Sequence, residues 1–189
     1  MVSVEFLREC FDYDPETGVL RWKQRPLSHF ENERGWAVFN ARFPGSIVSG
    51  FEQEGYVRVE VRDNKKKKRV WAHHIAWALT TGEWPKNYLD HRNGVRSDNR
   101  LCNLREATRG ENGQNLKTRI DNTSGATGVT WCKQANAWHA QLGLKRIGAT
   151  RNQIHLGYFD SLDDARAAYL AAKASLHPFQ PIPRELTEA

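Results

Sequence analysis

Residues 89–115, LDHRNGVRSDNRLCNLREATRGENGQN, hold most of the side chains in this chain that could do chemistry. Asp90 and His91 are adjacent, Asn103 follows twelve residues after the histidine, and Asn112 nine after that. A carboxylate beside an imidazole sets a hard-metal ligand next to a general base. Phosphodiester hydrolysis needs an activated water, charge stabilisation on the phosphate and help for the leaving oxygen. Asp90 and Asn112 offer oxygen ligands. With waters and a phosphate they suit Mg²⁺ or Mn²⁺, one ion per site, whereas zinc prefers His or Cys. On an extended strand His91 points away from Asp90, and a neutral imidazole there can deprotonate water near neutral pH. Asn103, on a return strand, is placed to hydrogen-bond across the hairpin and fix the loop that carries His91. Arg92, Arg96, Arg100 and Arg105 flank these groups and are expected to hold the backbone that is cut.

The elements around this stretch follow from local pattern. Tyr88 to His91 reads as a strand, Asn93-Gly94 as a turn, and residues 100–105 as a return strand. Thr108 with Glu111 three residues on matches a capping box, so a helix should begin there, with Asn112 and Asn115 on one face. Strand, loop, strand, helix is the order of a ββα finger. Upstream, residues 4–11 read as a short helix, DPETG as a turn, and residues 19–23 as a strand. Residues 34–49 are aromatic and Gly-rich and yield no firm element. Residues 55–62 alternate with Val57, Val59 and Val61 on one face, and a lysine-rich hairpin tip leads to residues 69–72. Those lysines read as a solvated tip, with phosphate contact as the other reading. Residues 74–81 look helical, with Gly82 as the stop and Pro85 beyond. His73 and His74 stand at that strand–helix junction, where packing or backbone hydrogen bonding is favoured over metal binding.

A net charge of +6 on 189 residues suits an anionic partner. With 39% hydrophobic and 26% charged residues the chain is globular rather than disordered. No apolar run approaches the roughly 20 residues that span a bilayer, and no basic leader opens the sequence, so a cytoplasmic location and no membrane partner are expected. Cys10, Cys102 and Cys132 form no C-x-x-C pair, so neither a disulfide framework nor structural zinc is expected.

A second module follows a polar stretch at residues 118–125. GVTW, AWHAQLGL and QIHLGYF are three short strand-like pieces, and residues 161–177 form a helix. Ser161 caps that helix, Asp163 and Asp164 sit in its first turn, and its apolar stripe is Leu162, Ala165, Tyr169, Ala172 and Leu176. Lys133, Lys145, Arg146 and Arg151 lie between Gly128 and Phe159 with no acid among them, while Asp160, Asp163 and Asp164 gather on the helix side. That polarity suits DNA on the sheet. Thr130, Lys133, His139, Gln141 and His155 are candidates for the exposed face, with Gln141 for adenine edges and the basic residues for phosphates. Trp138 reads as core; Trp131 is divided between core and DNA contact.

Residues 71–115 resemble the HNH, or His-Me finger, endonucleases of phages and mobile introns. The likeness rests on Ala72-His73, Trp77, Gly82, Trp84-Pro85, Asp90-His91, Asn93-Gly94, Asp98-Asn99-Arg100, Asn103-Leu104-Arg105, Glu111-Asn112 and Asn115. DYDPETGVLRWKQRP and NARFPG resemble the leading region of such proteins and extend the likeness over most of residues 1–117. The resemblance implies His91 as general base, Asp90 and Asn112 as ligands of one divalent cation, Asn103 as the orienting residue, and products with 5′-phosphate and 3′-hydroxyl ends. Position 112 is Asn where the family's name has His, which matches an H-N-N subset. Residues 124–180 resemble the AP2 domain through SGATGV, Trp138, Ala140 and Leu142 in alternation, Leu156-Gly157 with Phe159-Asp160, and Ala165, Ala168, Tyr169 and Ala172. That fold lays a three-stranded antiparallel sheet into the major groove and backs it with one helix.

The expectation is an α+β chain: an HNH domain over residues 1–117 with its ββα finger at about 86–117, a linker at 118–125, an AP2-like domain at 126–180 and a tail at 181–189. Its expected activity is metal-dependent cleavage of double-stranded DNA, nicking or site-preferring, inside a phage or bacterial host cell. A monomer would nick; cutting both strands would need two chains, as in a homodimer, or two binding events. The rival is a non-catalytic DNA-binding regulator that uses the finger as scaffold. An RNA-binding role has little support, since no RNP-type aromatic motif is present.

Overall fold

The computed structural model describes residues 2–63, 66–115, 118, 121–144 and 153–180. Helices and small sheets mix along the chain, which divides into two compact units, Met1–Glu106 and Ala107–Ala189. The division falls ahead of the 118–125 stretch that composition marks as a linker. Among the described residues no helix is long and apolar enough to cross a membrane.

The first unit opens with α1 (Val4–Cys10), capped by the Ser3 hydroxyl, which accepts from the Phe6 amide. Val4, Leu7 and Cys10 recur every three residues, so one stripe of α1 is buried. Strands β1 (Phe11–Tyr13) and β2 (Leu20–Trp22) form an antiparallel hairpin around DPETG. Asp14 accepts from the amides of Glu16 and Thr17 at this turn, and Gly18 closes it with φ 74°. A Cβ on Gly18 would lie 2.6 Å from the Arg100 amide, so this hairpin presses directly on the loop before β7.

The unassigned aromatic stretch contains α2 (Glu33–Arg42), started by Asn32 accepting from the Gly35 amide. Its pattern is hard to read because none of its residues is fully buried; Trp36 and Asn40 instead both donate to the Arg25 carbonyl. Next come β3 (Phe51–Gln53), β4 (Tyr56–Asp63) and β5 (Lys66–Trp71), an antiparallel sheet in the order β3-β4-β5. Lys66, Lys67 and Lys68 belong to β5, pairing with Asp63, Arg62 and Val61, so β5 starts earlier than apolar alternation alone suggests. Val59 and Val61 are buried and Val57 half-buried on one face. Helix α3 (Ala72–Thr81) packs on that face and on α1, burying Ala72, Ile75, Ala76 and Ala78, and stops at Gly82 with φ 82°. Leu7, Cys10, Phe11, Leu20, Val59, Val61, Val70 and Ile75 form the core of this unit. Each buried aliphatic side chain contributes on the order of 2 kcal/mol.

Strands β6 (Tyr88–His91) and β7 (Leu104–Ala107) form a two-stranded sheet. The expected return strand at 100–105 is displaced: Leu101–Asn103 is a 3₁₀ turn, and β7 begins only at Leu104. The turn arises because Asn103 uses its side chain and its backbone on the loop rather than in a ladder.

In the second unit, α4 (Arg109–Asn112) carries a full capping box: the Thr108 hydroxyl accepts from the Glu111 amide, and the Glu111 carboxylate accepts from the Thr108 amide. The helix lasts one turn and passes into a 3₁₀ turn at Gly113–Asn115. Strands β8 (Val129–Cys132), β9 (Ala137–Gly143) and β10 (Gln153–Phe159) make an antiparallel sheet in the order β10-β9-β8. Helix α5 (Leu162–Leu176), capped by Ser161, packs against all three strands. Val129, Ala140 and Leu142 meet Ala165 and Tyr169 in the core between them. Gly128 is required here, since a Cβ would overlap the Tyr169 ring at 2.3 Å. Leu176 departs from the expected stripe at 42% exposed. Lys173 takes the buried place instead, with its ammonium donating to the Gln114 carbonyl at 2.8 Å. That bond keeps residues following α4 with the second unit.

Candidate active site

Asp90 and His91 are 5% and 3% exposed, so both faces of β6 are covered at this point. Strand alternation sends the two side chains opposite ways. On one side, Arg105 of β7 donates from Nε (2.9 Å) and Nη2 (2.8 Å) to Oδ2 of Asp90. On the other, the His91 ring lies 5.1 Å edge-on from His73 and 5.7 Å from Tyr56. His91 Nε2 is 3.3 Å from Oδ1 of Asn99, an acceptor that places the ring proton on Nε2 and the lone pair on Nδ1.

Burial holds the His91 pKa below the ordinary imidazole value, against the upward pull of the Asn99 hydrogen bond and the Asp90 charge. The ring is therefore neutral at pH 7, as a base must be. Its neighbour His73 is pushed down to about 3 by burial, then by His74 and His91. His73 is packed between Trp71, Tyr56 and His91, consistent with a packing role.

The loop between β6 and β7 is knitted by asparagines. Asn103 Oδ1 accepts from the Asn93 amide (3.0 Å), its Nδ2 donates to the Asp98 carbonyl (2.8 Å), and its own carbonyl accepts from the Arg92 amide (2.9 Å). Asn103 thus grips the loop and leaves the His91 ring to Asn99. Asp98 accepts from Asn93 Nδ2 and from the Arg100 guanidinium at 2.8 and 2.6 Å. The Arg100 hydrogen bond is the main cause holding the Asp98 pKa down at about 2. Asn99 is itself positioned from outside the finger: its carbonyl accepts from the Tyr13 hydroxyl at 2.7 Å, and the next loop residue but one, Leu101, donates to the Pro15 carbonyl. Sequence reading missed Asn99, Tyr13 and Tyr56. The Asp98-Asn99-Arg100 triplet was the available signal for the first; nothing local marks the other two.

The four flanking arginines differ. Arg92 is exposed. Arg96 lies 4.9 Å over the Tyr56 ring and donates to the Glu54 carbonyl. Arg100 is exposed but clasped by Asp98, and Arg105 is turned inward to Asp90. An outward phosphate contact, as expected for Arg105, does not fit its side chain, which is 15% exposed. Asn112 is the last residue of α4, half-buried, in the second unit.

In the second unit, Thr130, His139 and Tyr158 pair across the three strands, and Gln141 pairs with His155. These residues lie opposite the core face defined by Val129, Ala140 and Leu142. His139 Nε2 and His155 Nδ1 are 2.7 Å apart, the rings stack at 4.8 Å, and Tyr158 lies 5.1 Å from each. A single proton bridges the pair, so one ring donates and the other accepts. Burial and the neighbouring His155 lower the His139 pKa. Lys133 is exposed beyond β8. Trp131 is 44% exposed and edge-on to half-buried Trp138, on the helix side of the sheet. Lys145, Arg146 and Arg151 lie outside the described residues.

Oxygen donors suit a hard divalent cation, and Asp90 and Asn112 supply oxygen only. Among the described residues no three His, Cys, Asp or Glu side chains gather in a metal-holding group. Asp90 belongs to the first unit and Asn112 to the second.

Residues 70–114 match the family model of an HNH endonuclease. Over those residues the chain is similar to HNH endonucleases. Over 67 residues the chain is 40% identical to Protein 3.8 of Escherichia phage T7, an overlap covering 35% of this chain and 55% of that protein. The chain thus spans about half the length of the curated relative it matches. No solved structure matches it.

Proposed function

We propose that this protein is a divalent-metal-dependent DNA endonuclease in which His91 is the general base and the β8–β10 sheet reads duplex DNA. The observation that carries this reading is a buried, neutral His91 beside Asp90 within the HNH endonuclease match. His91 takes a proton from water at Nδ1, and the resulting hydroxide attacks phosphorus. The P–O bond to the 3′ carbon's oxygen breaks, leaving a 5′-phosphate and, after protonation, a 3′-hydroxyl. Asn99 holds the imidazole in the tautomer that accepts this proton. Asn103 keeps the loop from sagging under it. Asp90 and Asn112 would hold Mg²⁺ or Mn²⁺, which supplies charge neutralisation at the phosphate and the leaving oxygen.

The second unit is proposed to act in the manner of an AP2 domain. Its open face presents Thr130, His139, Gln141, His155 and Tyr158, a width suited to the major groove. Phosphates would fall to Lys133, with Lys145, Arg146 and Arg151 as further candidates. One such finger per chain would nick; cutting both strands would take two chains or two binding events. The Arg105–Asp90 pair favours a second reading, a DNA-binding regulator in which that carboxylate is only structural.

Plasmid relaxation separates the two. Supercoiled DNA is incubated at low salt with wild type or His91→Ala, with Mg²⁺ or EDTA. Nicked or linear product from wild type with metal alone supports the nuclease. Absence of cleavage on DNA that the protein binds establishes the regulator.

A further inference from the structure

We propose that Arg105 is a resident competitor of the metal ion: it neutralises Asp90 in the metal-free protein and limits how tightly a divalent cation binds there. The inference deepens the nuclease reading above and rests on it. Arg105 sends two N–H groups to a single oxygen, Oδ2, from the strand beside β6. The carboxylate is 5% exposed and the guanidinium 15% exposed, so water does little to screen them. An isolated carboxylate buried this deeply is costly without a counter-charge, and the guanidinium supplies it.

A small dication at the same carboxylate would bring two positive groups within a few ångströms in a poorly screened place. They repel, and both draw on the single negative charge of Asp90. Cation binding therefore loosens Arg105 from Asp90. The arginine remains always charged, so it stays a cation whether or not it holds Asp90. Arg105 lies two residues after Asn103, and its backbone is held in β7. The other flanking arginines cannot act this way: Arg100 is committed to Asp98, Arg96 rests on Tyr56, and Arg92 is exposed.

A purely structural salt bridge makes the opposite prediction for metal binding. If Arg105 only orders Asp90, removing it weakens the ion's site. If it competes, removing it strengthens the site.

The test is calorimetric titration of the full chain with Mn²⁺ alone, without DNA, at pH 7.5, for wild type, Arg105→Gln, Arg105→Lys and Asp90→Asn. Arg105→Gln is expected to bind Mn²⁺ roughly tenfold tighter or more, because one unit charge beside the ion is removed. Arg105→Lys should fall between it and wild type, since one ammonium cannot make the paired contact. Asp90→Asn should lose binding. Thermal melts accompany each variant, and Mn²⁺ should raise the melting temperature of Arg105→Gln by more than that of wild type. Equal or weaker Mn²⁺ binding by a folded Arg105→Gln overturns the proposal. Should that variant not fold, Arg105→Lys decides by the same criterion. Loss of binding in Asp90→Asn with no gain in either Arg105 variant sinks the competitor role alone. Wild type and Asp90→Asn that bind Mn²⁺ alike, or not at all, remove the metal site and the competitor together.

Discussion

The β6–β7 hairpin and the β8–β10 sheet hold histidines in opposite ways. In the hairpin His91 is 3% exposed, and its ring nitrogen meets an asparagine whose backbone is held by a tyrosine from a distant strand. On the sheet, His139 and His155 share one proton at 2.7 Å on an open face, with Tyr158 beside them. The first arrangement fixes one tautomer and one direction, which proton transfer demands. The second leaves flat rings and polar edges outward, which suits contact with a partner. Burial gives a histidine ring one defined set of partners; an open face leaves its edges available.

Four experiments bear on that contrast. The largest effect belongs to His91→Ala, expected to lower cleavage by about 10³-fold or more while DNA affinity stays within a few fold. Single-turnover rates and binding isotherms on the same duplex measure both, and parallel loss would erase the distinction between the two regions. Asn99→Ala is expected to cut the rate by roughly 10- to 100-fold with binding unchanged, the range seen when a group that orients a site residue is lost. An unaltered rate would mean that the Tyr13–Asn99 connection has no part in holding His91. On the sheet the readout reverses. Tyr158→Ala is expected to weaken DNA binding by about fivefold to tenfold, near 1 kcal/mol, with the rate at saturating DNA intact. A slower saturated rate would show that the open face does more than bind.

The last effect concerns acid stability. His73 has its pKa pushed down to about 3 from an ordinary 6.5. Between those values the unfolded chain takes up a proton that the folded one refuses. Stability is therefore fully present above pH 6.5 and falls with decreasing pH by about 1 kcal/mol per unit for this residue. Urea midpoints at pH 7 and pH 5 measure the slope, and His73→Asn should flatten it. An unchanged slope would place the acid sensitivity elsewhere than His73.

Much of this was legible along the chain because it depends on neighbours in sequence. The Thr108 capping box, the Gly82 stop, the Val57, Val59, Val61 alternation and the Asp90-His91 pair all stand where local pattern placed them. The failures share a cause. Helix α2 has no fully buried residue, so it carries no apolar stripe to read. The return strand begins at Leu104 because Asn103 spends its groups on loop atoms ten and five residues away. Lys173, which is not on the expected stripe, is buried while Leu176 is exposed, because its ammonium finds the Gln114 carbonyl.

By itself the sequence determined where most helices and strands form, and which side chains have the chemistry to ligate a hard cation or move a proton. Those properties are set by side-chain chemistry and by periods of two and 3.6 residues. Only the tertiary structure decided which groups those residues meet. Tyr13 reaches Asn99 across 86 positions, and Asn99 in turn meets His91. Arg105, flanking in sequence and expected on the surface, faces inward because strand pairing lays it beside a buried carboxylate that needs a counter-charge. Contacts of this kind arise from packing between distant segments, and no local spacing encodes them.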